Sequence, residues 1–478
     1  MKLSQIMQDV DIVRQSCDFN MEISDICYDS RQAVKDCAFL AIRGFRTDGH
    51  LFIAEAARRG AAVVIAERTP EENVPYVLVR DSRRAMAQMA KNFFGRPDEE
   101  LKLIGVTGTN GKTTVTYLIK HILESNGKKC GLIGTNDIYV GDRVLPAQRT
   151  TPESCELYKL LREMRDAGCG HVVMEVSSHA LTLDRVYGLT FETAVFTNLS
   201  RDHLDFHEDM EHYLQAKAKL FEVCRSAVVN YDDPAGHKVI ENKKCYKMTY
   251  SAKENSADLV AKNIQLKASK VEFEAVTTGE INHVALGIPG MFSVYNALAA
   301  IGCGMSLGIS LSDAAICLRT CRGVKGRAEV VPTDTDYTVI IDYAHTPDGI
   351  NSILKAVRGF AKGRVVALFG CGGDRDKTKR PLMGKAAADN ADVCIVTSDN
   401  PRSEDPKAII DDILPGVRDS KAQLHVIEDR REAIAFALKN ARPNDVIVLM
   451  GKGHETYQEI KGKKLHMDER EIVAELLK

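Results

Sequence analysis

Short apolar runs rich in β-branched residues alternate with helical stretches along the chain. Residues 61–66 and residues 101–106 are two such runs, and no internal repeat accompanies them. Alternation of this kind is typical of parallel β-sheets with helices packed on their faces. We therefore predict an α/β protein, in which the pattern separates three segments: residues 1–98, 99–328 and 329–478.

The third segment contains four apolar runs that each lead into a polar or glycine-rich loop. The runs are residues 338–341, 365–369, 393–397 and 446–450, and the loops after them begin near Asp342, Gly370, Asp399 and Gly451. In open α/β sheets, ligands bind where the carboxyl ends of the strands meet. Four such loops in one segment therefore predict a shared binding site.

A phosphate-binding loop is predicted between residues 101–106 and a helix that extends to about Gly127. The loop consists of Gly108, Thr109, Asn110, Gly111, Lys112, Thr113 and Thr114. In such a loop, backbone N–H groups hold phosphate oxygens, Lys112 adds positive charge and the Thr113 hydroxyl reaches Mg²⁺. The common spacing would place a glycine where this chain has Val106, which indicates a tighter subclass of the loop. An ordinary strand-to-helix turn is the weaker interpretation.

Two later apolar runs lead into candidate metal ligands. Glu175 follows residues 172–174, and His203 lies shortly after residues 194–197. A carboxylate that follows a strand beside a phosphate-binding loop is the usual protein contact of ATP-bound Mg²⁺. Taken alone, Glu175 could instead cap the next helix, and His203 could be a turn histidine. Lys217 has the pattern of a solvated lysine on an amphipathic helix, and that pattern gives it no role.

Composition and charge exclude several classes of protein. The chain has 478 residues, of which 44% are hydrophobic and 27% charged, as in a globular protein of two to four domains. Its 64 Lys and Arg residues nearly balance 66 Asp and Glu residues, which argues against broad attraction to nucleic acid. Neither a transmembrane run nor a signal-peptide pattern is present. Because 13 scattered cysteines without a Cys-x-x-Cys pair favour reduced thiols, we expect a cytoplasmic protein.

Four segments taken together resemble the Mur ligase family, the ATP-dependent amide-forming enzymes of peptidoglycan precursor assembly. They are Thr-Gly-Thr-Asn-Gly-Lys-Thr-Thr at 107–114, Glu-Val-Ser-Ser-His at 175–179, Thr-Asn-Leu-Ser-Arg-Asp-His-Leu-Asp at 197–205 and Gly-Cys-Gly-Gly-Asp-Arg-Asp at 370–376. The resemblance implies three domains: an N-terminal α/β domain for a uridine nucleotide substrate, a central parallel-sheet ATPase domain with the phosphate-binding loop, and a C-terminal Rossmann-like domain for an amino acid.

The resemblance also implies roles for individual residues. ATP would be held by the phosphate-binding loop together with Asn296, Arg327, Asp342 and His345. Mg²⁺ would be held by Thr113, Glu175, His203 and a Lys217 that CO₂ has converted to a carbamate, since a free ammonium cannot ligate a cation. The nucleotide substrate would contact Ser30, Thr150, Thr151, Ser177 and Arg185. The amino acid would contact Arg375, Asp399, Asn400, Pro401, Arg402, Gly451 and Glu455.

Arg402 indicates which amino acid is added. Members of the family that add meso-2,6-diaminopimelate carry Asp-Asn-Pro-Arg, as this chain does at residues 399–402, whereas lysine-adding members generally lack the arginine. A guanidinium binds the second carboxylate of diaminopimelate but repels the ammonium of lysine. Arg375 and Glu455 would then hold the remaining carboxylate and amine.

The reaction implied by the resemblance has two steps, in which Lys112, Glu175, His203 and Lys217 take the catalytic roles. ATP phosphorylates the glutamyl carboxylate of UDP-N-acetylmuramoyl-L-alanyl-D-glutamate, and the neutral amine of the amino acid displaces phosphate. We expect a monomer that binds small molecules, without nucleic-acid or membrane partners. A lysine-adding ligase, a polyglutamylating relative and a regulatory nucleotide-binding protein are the alternatives, and the last leaves the four C-terminal loops unexplained.

Overall fold

The computed structural model describes residues 1–44, 47–204, 206–321 and 323–478. Contacts divide the chain into two compact units, Met1–Met248 and Thr249–Lys478. The division into three domains stays a prediction: the boundary near residue 98 lies within the first unit and the boundary near 328 within the second. Asp205, the last residue of the motif at 197–205, lies outside the described residues.

Twenty-four strands, numbered along the chain, are described. They are β1 Ile12–Gln15, β2 Ile26–Cys27, β3 Cys37–Leu40, β4 Ala61–Ala66, β5 Tyr76–Val79, β6 Lys102–Thr107, β7 Cys130–Ile133, β8 Asp137–Val140, β9 Arg143–Pro146, β10 His171–Glu175, β11 Phe191–Phe196, β12 Cys224–Asn230, β13 Tyr246–Ser251, β14 Leu259–Leu266, β15 Val271–Thr277, β16 Glu280–Leu286, β17 Glu329–Val331, β18 Thr338–Asp342, β19 Val365–Phe369, β20 Val393–Val396, β21 Gln423–Val426, β22 Val446–Met450, β23 Tyr457–Ile460 and β24 Lys463–His466.

Fifteen α-helices are described. They are α1 Leu3–Ile6, α2 Ile53–Arg58, α3 Ser82–Phe93, α4 Lys112–Ser125, α5 Ser154–Asp166, α6 Ser178–Thr182, α7 Met210–Ala218, α8 Pro234–Val239, α9 Met291–Ser306, α10 Leu311–Leu318, α11 Pro347–Arg358, α12 Lys379–Ala388, α13 Pro406–Ile413, α14 Arg430–Lys439 and α15 Glu469–Leu476. Within the described parts of the chain, none of them has the length and apolar character that a bilayer-spanning helix needs.

The first unit contains two sheets. One has the strand order β1-β5-β4-β3-β2 and is parallel except for the β1–β5 pair. The other has the order β12-β11-β6-β10-β7-β8-β9, in which β12 to β7 are parallel. Because β6 lies between β11 and β10, Thr107 is opposite Phe196 and Val106 is opposite Glu175. The segments that follow these three strands therefore begin at one edge.

The second unit contains an antiparallel meander of β14, β15 and β16 and a six-stranded sheet. The sheet has the order β17-β18-β22-β19-β20-β21 and is parallel except for β17. Its four inner strands are the four apolar runs identified in the sequence. The α/β prediction is confirmed, and the four loops do begin at one edge of one sheet.

Burial on both faces explains why these strands appear in the sequence as continuous apolar runs. All five residues of β19 and all five of β22 are buried, as are five of the six residues of β6. Parallel strands covered by helices on both faces have this composition. A strictly parallel register also aligns the carboxyl ends of the strands, which is the geometry that the candidate site uses.

Candidate active site

The phosphate-binding loop connects the central strand β6 to helix α4. Gly108 has a φ of +144°, and a Cβ there would lie 1.9 Å from the Thr197 hydroxyl oxygen. Gly111 has a φ of +88° and immediately precedes the helix. Both positions therefore require glycine. Val106 lies inside β6, so the loop starts later than in the common spacing, and the N-terminus of α4 is placed to face phosphate oxygens.

The segment after β11 holds this loop in place. The Thr197 hydroxyl donates to the carbonyl oxygen of Asn110 at 2.6 Å. The Asn198 carbonyl accepts from the Thr109 N–H at 2.8 Å, and its side-chain oxygen accepts from the Asn110 N–H at 3.0 Å. In this segment only His203 was predicted as a site residue, and Thr197 and Asn198, which fix the loop, were missed. The adjacency of β11 and β6, which the sequence does not reveal, is what places them there.

Two lysines donate to the carbonyl groups of the phosphate-binding loop. Lys112 Nζ donates to the carbonyl oxygens of Gly108 and Thr109 at 3.0 and 2.9 Å. Lys217 Nζ donates to the same Gly108 oxygen at 2.8 Å, and its residue is only 1% exposed. Burial, together with the nearby Lys112 charge, lowers the pKa of Lys217 well below the usual lysine range. The interpretation of Lys217 as a solvated lysine is therefore wrong.

Tyr213 joins several of these groups and was missed in the sequence. Its hydroxyl lies 3.2 Å from the Thr109 hydroxyl oxygen, and Lys217 Nζ lies 4.4 Å from the centre of its ring. The ring of His203 lies 6.1 Å from that of Tyr213, centre to centre. Tyr213 precedes Lys217 by one helical turn of α7, so the two side chains share a helix face. Once Lys217 had been assigned to the site, this four-residue spacing could have identified Tyr213.

Glu175 ends β10 and is 1% exposed. Its Oε2 accepts from the hydroxyl groups of Thr113 and Thr135, both at 3.1 Å, and its Oε1 accepts from the Thr135 N–H at 2.7 Å. Glu175 does not cap the next helix, because the Ser177 side chain caps α6 by accepting from the Ala180 N–H at 3.2 Å. The structure thus brings two of the four predicted metal ligands into contact.

His203 lies in a loop with a φ of +53°, and its side chain is 43% exposed. Its ring packs edge-on against that of His179, with 4.9 Å between the centres. Within the described residues, no group of three or more His, Cys, Asp or Glu side chains is arranged to hold a metal on its own.

The residues predicted for the nucleotide substrate lie close to Glu175. The Thr151 hydroxyl donates to the Glu175 carbonyl oxygen at 2.9 Å and accepts from the Ser177 N–H at 3.1 Å. Arg185 donates to the Thr151 carbonyl oxygen at 3.0 Å. The Thr150 and Thr135 hydroxyl oxygens are 3.0 Å apart. Four of the five predicted residues are thereby brought into one group.

The fifth, Ser30, lines a cavity of about 930 Å³ in the first unit. Its hydroxyl donates to Glu55 at 2.9 Å. Glu153, which the sequence analysis missed, also lines this cavity and pairs with Arg185 at 2.8 Å and with Arg149 and Arg83 at 3.4 Å. Three arginines therefore surround one buried carboxylate, and Arg149 among them also lines the cavity.

The end of β18 in the second unit and the residues after it form a polar and aromatic group. Asp342 accepts from the N–H groups of Ala328 and Ala344 at 2.7 and 2.8 Å, and burial raises its pKa although Arg327 opposes the shift. Around Tyr343 lie the guanidinium of Arg327, 5.0 Å from the ring centre, and the ring of His345 at 4.7 Å. The structure therefore groups three of the four predicted ATP residues outside the loop. Asn296 is buried in α9, and no hydrogen bond described for the chain joins it to them.

The loops after β19, β20 and β22 contact one another. Arg402 donates to the Gly373 carbonyl oxygen at 2.7 Å, and its Nε lies 3.5 Å from Glu459. Asn400 donates to Glu455 Oε2 at 2.8 Å. Arg375 is exposed and donates only to a backbone carbonyl, at 3.3 Å, among its described hydrogen bonds.

Asp399, Pro401 and Gly451 complete the predicted set. Asp399 and Pro401 are buried beside these contacts, and a Cβ on Gly451, whose φ is +110°, would lie 2.4 Å from Asp399 Oδ2. Arg375 is therefore the one exposed residue among the seven predicted for the amino acid.

Lys452 was missed in the sequence although it lies between two residues that were identified. It is fully buried, and its Nζ donates to Asn400 Oδ1 and to Glu455 Oε2, both at 3.0 Å. Arg430 is a second buried cation behind the same loop and pairs with Glu469 at 2.8 Å. Buried charges are normally paired in this way.

Comparison with known proteins identifies relatives along the full length of the chain. Residues 22–94 match the Mur ligase family catalytic domain, residues 106–304 the Mur ligase middle domain and residues 326–453 the Mur ligase glutamate ligase domain. The chain is similar to the UDP-N-acetylmuramoyl-L-alanyl-D-glutamate–2,6-diaminopimelate ligase of Caldanaerobacter subterraneus subsp. tengcongensis, with 51% identity over 96% of this chain and 95% of that one.

Two further relatives cover both chains almost completely. Ligase 1 of the same name from Clostridium acetobutylicum is 46% identical over 100% of this chain and 99% of its own. A solved structure of a UDP-N-acetylmuramoyl-L-alanyl-D-glutamate–2,6-diaminopimelate ligase has a TM-score of 0.74 and 33% identity over 100% of this chain and 98% of its own.

Proposed function

The chain belongs to the Mur ligase family, and we propose that it adds meso-2,6-diaminopimelate to UDP-N-acetylmuramoyl-L-alanyl-D-glutamate, with ATP converted to ADP and phosphate. Since ATP and UDP-linked precursors are intracellular metabolites, we place this reaction in the cytoplasm. We also propose a monomeric enzyme that binds only small molecules.

The choice of amino acid is carried by one observation: Arg402 and Glu455 belong to loops that are in contact. Arg402 donates a hydrogen bond to the Gly373 carbonyl oxygen, and Asn400, two residues earlier, donates one to Glu455. A guanidinium and a carboxylate in one small region match the second carboxylate and second amine of diaminopimelate. Lysine has no second carboxylate, and its terminal ammonium would face the guanidinium unpaired.

ATP binds, in this proposal, with its phosphates on the loop at residues 108–114. The N–H groups at the start of α4 and the Lys112 ammonium stabilise the charge that develops as the γ-phosphoryl group moves to the glutamyl carboxylate. Arg327, Asp342 and His345 hold the rest of the nucleotide. The amine of diaminopimelate then attacks the acyl phosphate as a neutral nucleophile, a tetrahedral centre forms, and phosphate leaves.

The residues around Glu175 fit Mg²⁺. Mg²⁺ prefers carboxylate and hydroxyl oxygens and keeps several ligands from water and phosphates. Glu175 Oε2 and the Thr113 hydroxyl oxygen are ligands of this kind and lie 3.1 Å apart. His203 would supply a further ligand. When bound, the ion neutralises charge on the phosphates.

Lys217 is proposed to carry a carbamate. Its buried amine has a lowered pKa, so the neutral form that reacts with CO₂ is available. A bond forms between Nζ and the carbon of CO₂, and the amine releases a proton. The product is an anion beside Lys112, where it would supply a further oxygen ligand for Mg²⁺.

The nucleotide substrate is proposed to occupy the cavity at Ser30 and to extend toward Thr150 and Thr151. Arg149, which lines the cavity, suits an anionic part of this substrate, and Arg185 suits its glutamyl carboxylate. The Ser177 hydroxyl would donate a hydrogen bond to the same glutamyl end of the substrate. We keep the division into an N-terminal nucleotide domain, a central ATPase domain and a C-terminal amino-acid domain as part of this proposal.

The test is phosphate release with ATP, the UDP-linked dipeptide and either diaminopimelate or lysine, in the wild type and in Arg402→Ala. We expect release only with diaminopimelate, and a rise of about a hundredfold in its KM in the variant, because one charge-paired contact is lost. The KM for ATP should not change. Arg418→Ala, which removes an exposed arginine of the same unit, serves as the control. Turnover that ignores both the dipeptide and the amino acid would refute the proposed function.

A further inference from the structure

Lys452 lies directly behind the region assigned to the amino acid. Its residue has no exposed surface, and its Nζ makes two hydrogen bonds, one to Asn400 Oδ1 and one to Glu455 Oε2, each 3.0 Å long. Burial of a lysine ammonium costs free energy because the charge loses its hydration. Such burial therefore indicates a specific role for the charge. Its position between two proposed substrate contacts indicates that this role concerns them.

The hydrogen bonds fix the orientation of the Asn400 amide. Lys452 Nζ and the Glu459 N–H, at 3.0 and 2.9 Å, are both donors and must face Oδ1. The carboxylate of Glu455 is an acceptor and must face Nδ2, at 2.8 Å. Lys452, Asn400 and Glu455 therefore form a closed triangle in which each of the three contacts pairs a donor with an acceptor.

The triangle uses only one oxygen of Glu455. Oε2 accepts from both Asn400 and Lys452, whereas none of the hydrogen bonds described for the chain involves Oε1. The Glu455 side chain is 14% exposed, so Oε1 can reach a ligand without a change in the triangle. Two donors on one oxygen hold the carboxylate plane in a single orientation.

The chemistry of the substrate determines which amine this oxygen meets. The attacking amine must be neutral, so the amine that a carboxylate binds as an ammonium is the second one, at the distal carbon of diaminopimelate. We propose that Lys452 is a positioning residue that locks Glu455 with Oε1 available to the distal ammonium, and that it thereby sets specificity for a substrate with two amines. This inference rests on the proposed function and adds a residue and a recognised group to it.

The test compares two substrates in Lys452→Met, which keeps the side-chain length and removes the charge. One substrate is diaminopimelate, and the other is 2-aminopimelate, which keeps both carboxylates but lacks the distal amine. We expect the KM for diaminopimelate to rise about thirtyfold, the loss typical of one charge-assisted hydrogen bond. The KM for 2-aminopimelate should stay within about twofold, because the contact that Lys452 supports is absent from that complex. Lys452→Arg should recover part of the difference.

Three controls separate positioning from a general structural role. Lys464→Met makes the same substitution at an exposed lysine whose Nζ lies 4.2 Å from the Tyr457 ring, the ring that Lys452 also faces, and should change neither KM. Trapping of the acyl phosphate by hydroxylamine, without any amino acid, should be equal in wild type and Lys452→Met. If Lys452→Met does not fold, Lys452→Met combined with Glu455→Gln removes both charges, and this variant should bind the two substrates equally well.

The outcomes distinguish this inference from the proposed function. If the wild type forms no product from diaminopimelate, the proposed function itself fails. If the wild type is active but Lys452→Met raises the KM of both substrates equally, or of neither, the positioning role is refuted. A double variant that still prefers diaminopimelate over 2-aminopimelate would refute it as well.

Discussion

Each unit of the chain contains a buried lysine at its candidate site, and the hydrogen-bond partners of the two lysines differ in charge. Lys217 is 1% exposed and donates to the Gly108 carbonyl oxygen, with the Tyr213 ring on its other side. Lys452 is fully buried and donates to the carboxylate of Glu455 as well as to an amide oxygen. Burial is nearly the same in the two cases, whereas the charges around each amine differ: Lys217 has a neutral partner and the Lys112 cation nearby, and Lys452 has a carboxylate.

The partner decides what each amine can do. A carbonyl oxygen does not compensate a buried positive charge, and the neighbouring Lys112 opposes it further, so the pKa of Lys217 is lowered and the neutral amine is favoured. A neutral amine is a nucleophile that CO₂ can modify. Lys452 instead forms an ion pair, which suits a residue that orients a carboxylate. Burial of a lysine therefore does not indicate its function until its partner is known.

The largest expected effect that tests this comparison is the loss of activity in Lys217→Ala. If a carbamate anion is required, activity should fall about a thousandfold, as when a preorganised electrostatic group is removed from an active site. Acetate or propionate should restore part of it by placing a carboxylate in the vacated space. Lys452→Ala provides the matched experiment, since carboxylates should not rescue it. Rescue of Lys217→Ala by alkylamines rather than carboxylates would show that the ammonium, not an anion, acts there.

A smaller effect is expected from Thr135→Val. Thr135 donates its hydroxyl to Glu175 Oε2 at 3.1 Å and its N–H to Oε1 at 2.7 Å. Loss of the hydroxyl removes one of the two hydroxyl donors to Oε2, while the Thr113 hydroxyl and the backbone N–H at position 135 still contact the carboxylate. The orientation of Glu175 is then held less firmly, and the Mg²⁺ concentration for half-maximal activity should rise about tenfold, as is usual when a residue that orients a metal ligand is removed. Thr397→Val removes a buried hydroxyl that donates to the Glu428 carbonyl oxygen in the second unit, and should leave the Mg²⁺ requirement unchanged.

The sequence predicted what depends on local pattern. Four continuous apolar runs predicted four buried strands, and the loops at Asp342, Gly370, Asp399 and Gly451 do begin at one edge, because parallel strands align their ends. Gly108 and Gly111 were predictable because positive φ at a turn before a helix requires glycine.

What the sequence did not reveal depends on contacts across large sequence separations. Lys217 appeared solvated because its helix pattern does not show that the Gly108 carbonyl, 109 positions earlier, covers it. Lys452 and Glu153 were missed for the same reason, since their partners Asn400 and Arg185 come from other strands and loops. A resemblance to a family supplied a role for Lys217, but nothing comparable pointed to Lys452.

The stability of the protein should report the neutral state of Lys217 directly. Its pKa in the folded chain lies well below 10.5, the ordinary value that it has in the unfolded chain. At any pH between the folded-state pKa and 10.5, the unfolded chain therefore carries a proton on this amine that the folded chain lacks. Stability should therefore rise with pH up to about 10.5, by at most about 1.4 kcal/mol per pH unit. Lys217→Met should lack this slope. Thermal unfolding of both proteins at pH 7 and 9 in CO₂-free buffer measures it, and equal slopes would mean that the amine is charged in the fold.

The smallest expected effect concerns His454, on the acid side of neutrality. Burial, together with the positive charges of Arg327 and Arg470, lowers its pKa from the ordinary 6.5 to about 4. The folded state therefore loses stability as the pH falls from about 6.5 toward 4, and His454→Gln should reduce that loss. His466 is an exposed histidine whose pKa Glu471 raises, so it stabilises the fold at low pH, and His466→Gln should have the opposite effect. Unfolding midpoints between pH 7 and 5 test both signs, and a shift in the same direction for the two variants would show that partner charge does not control these groups.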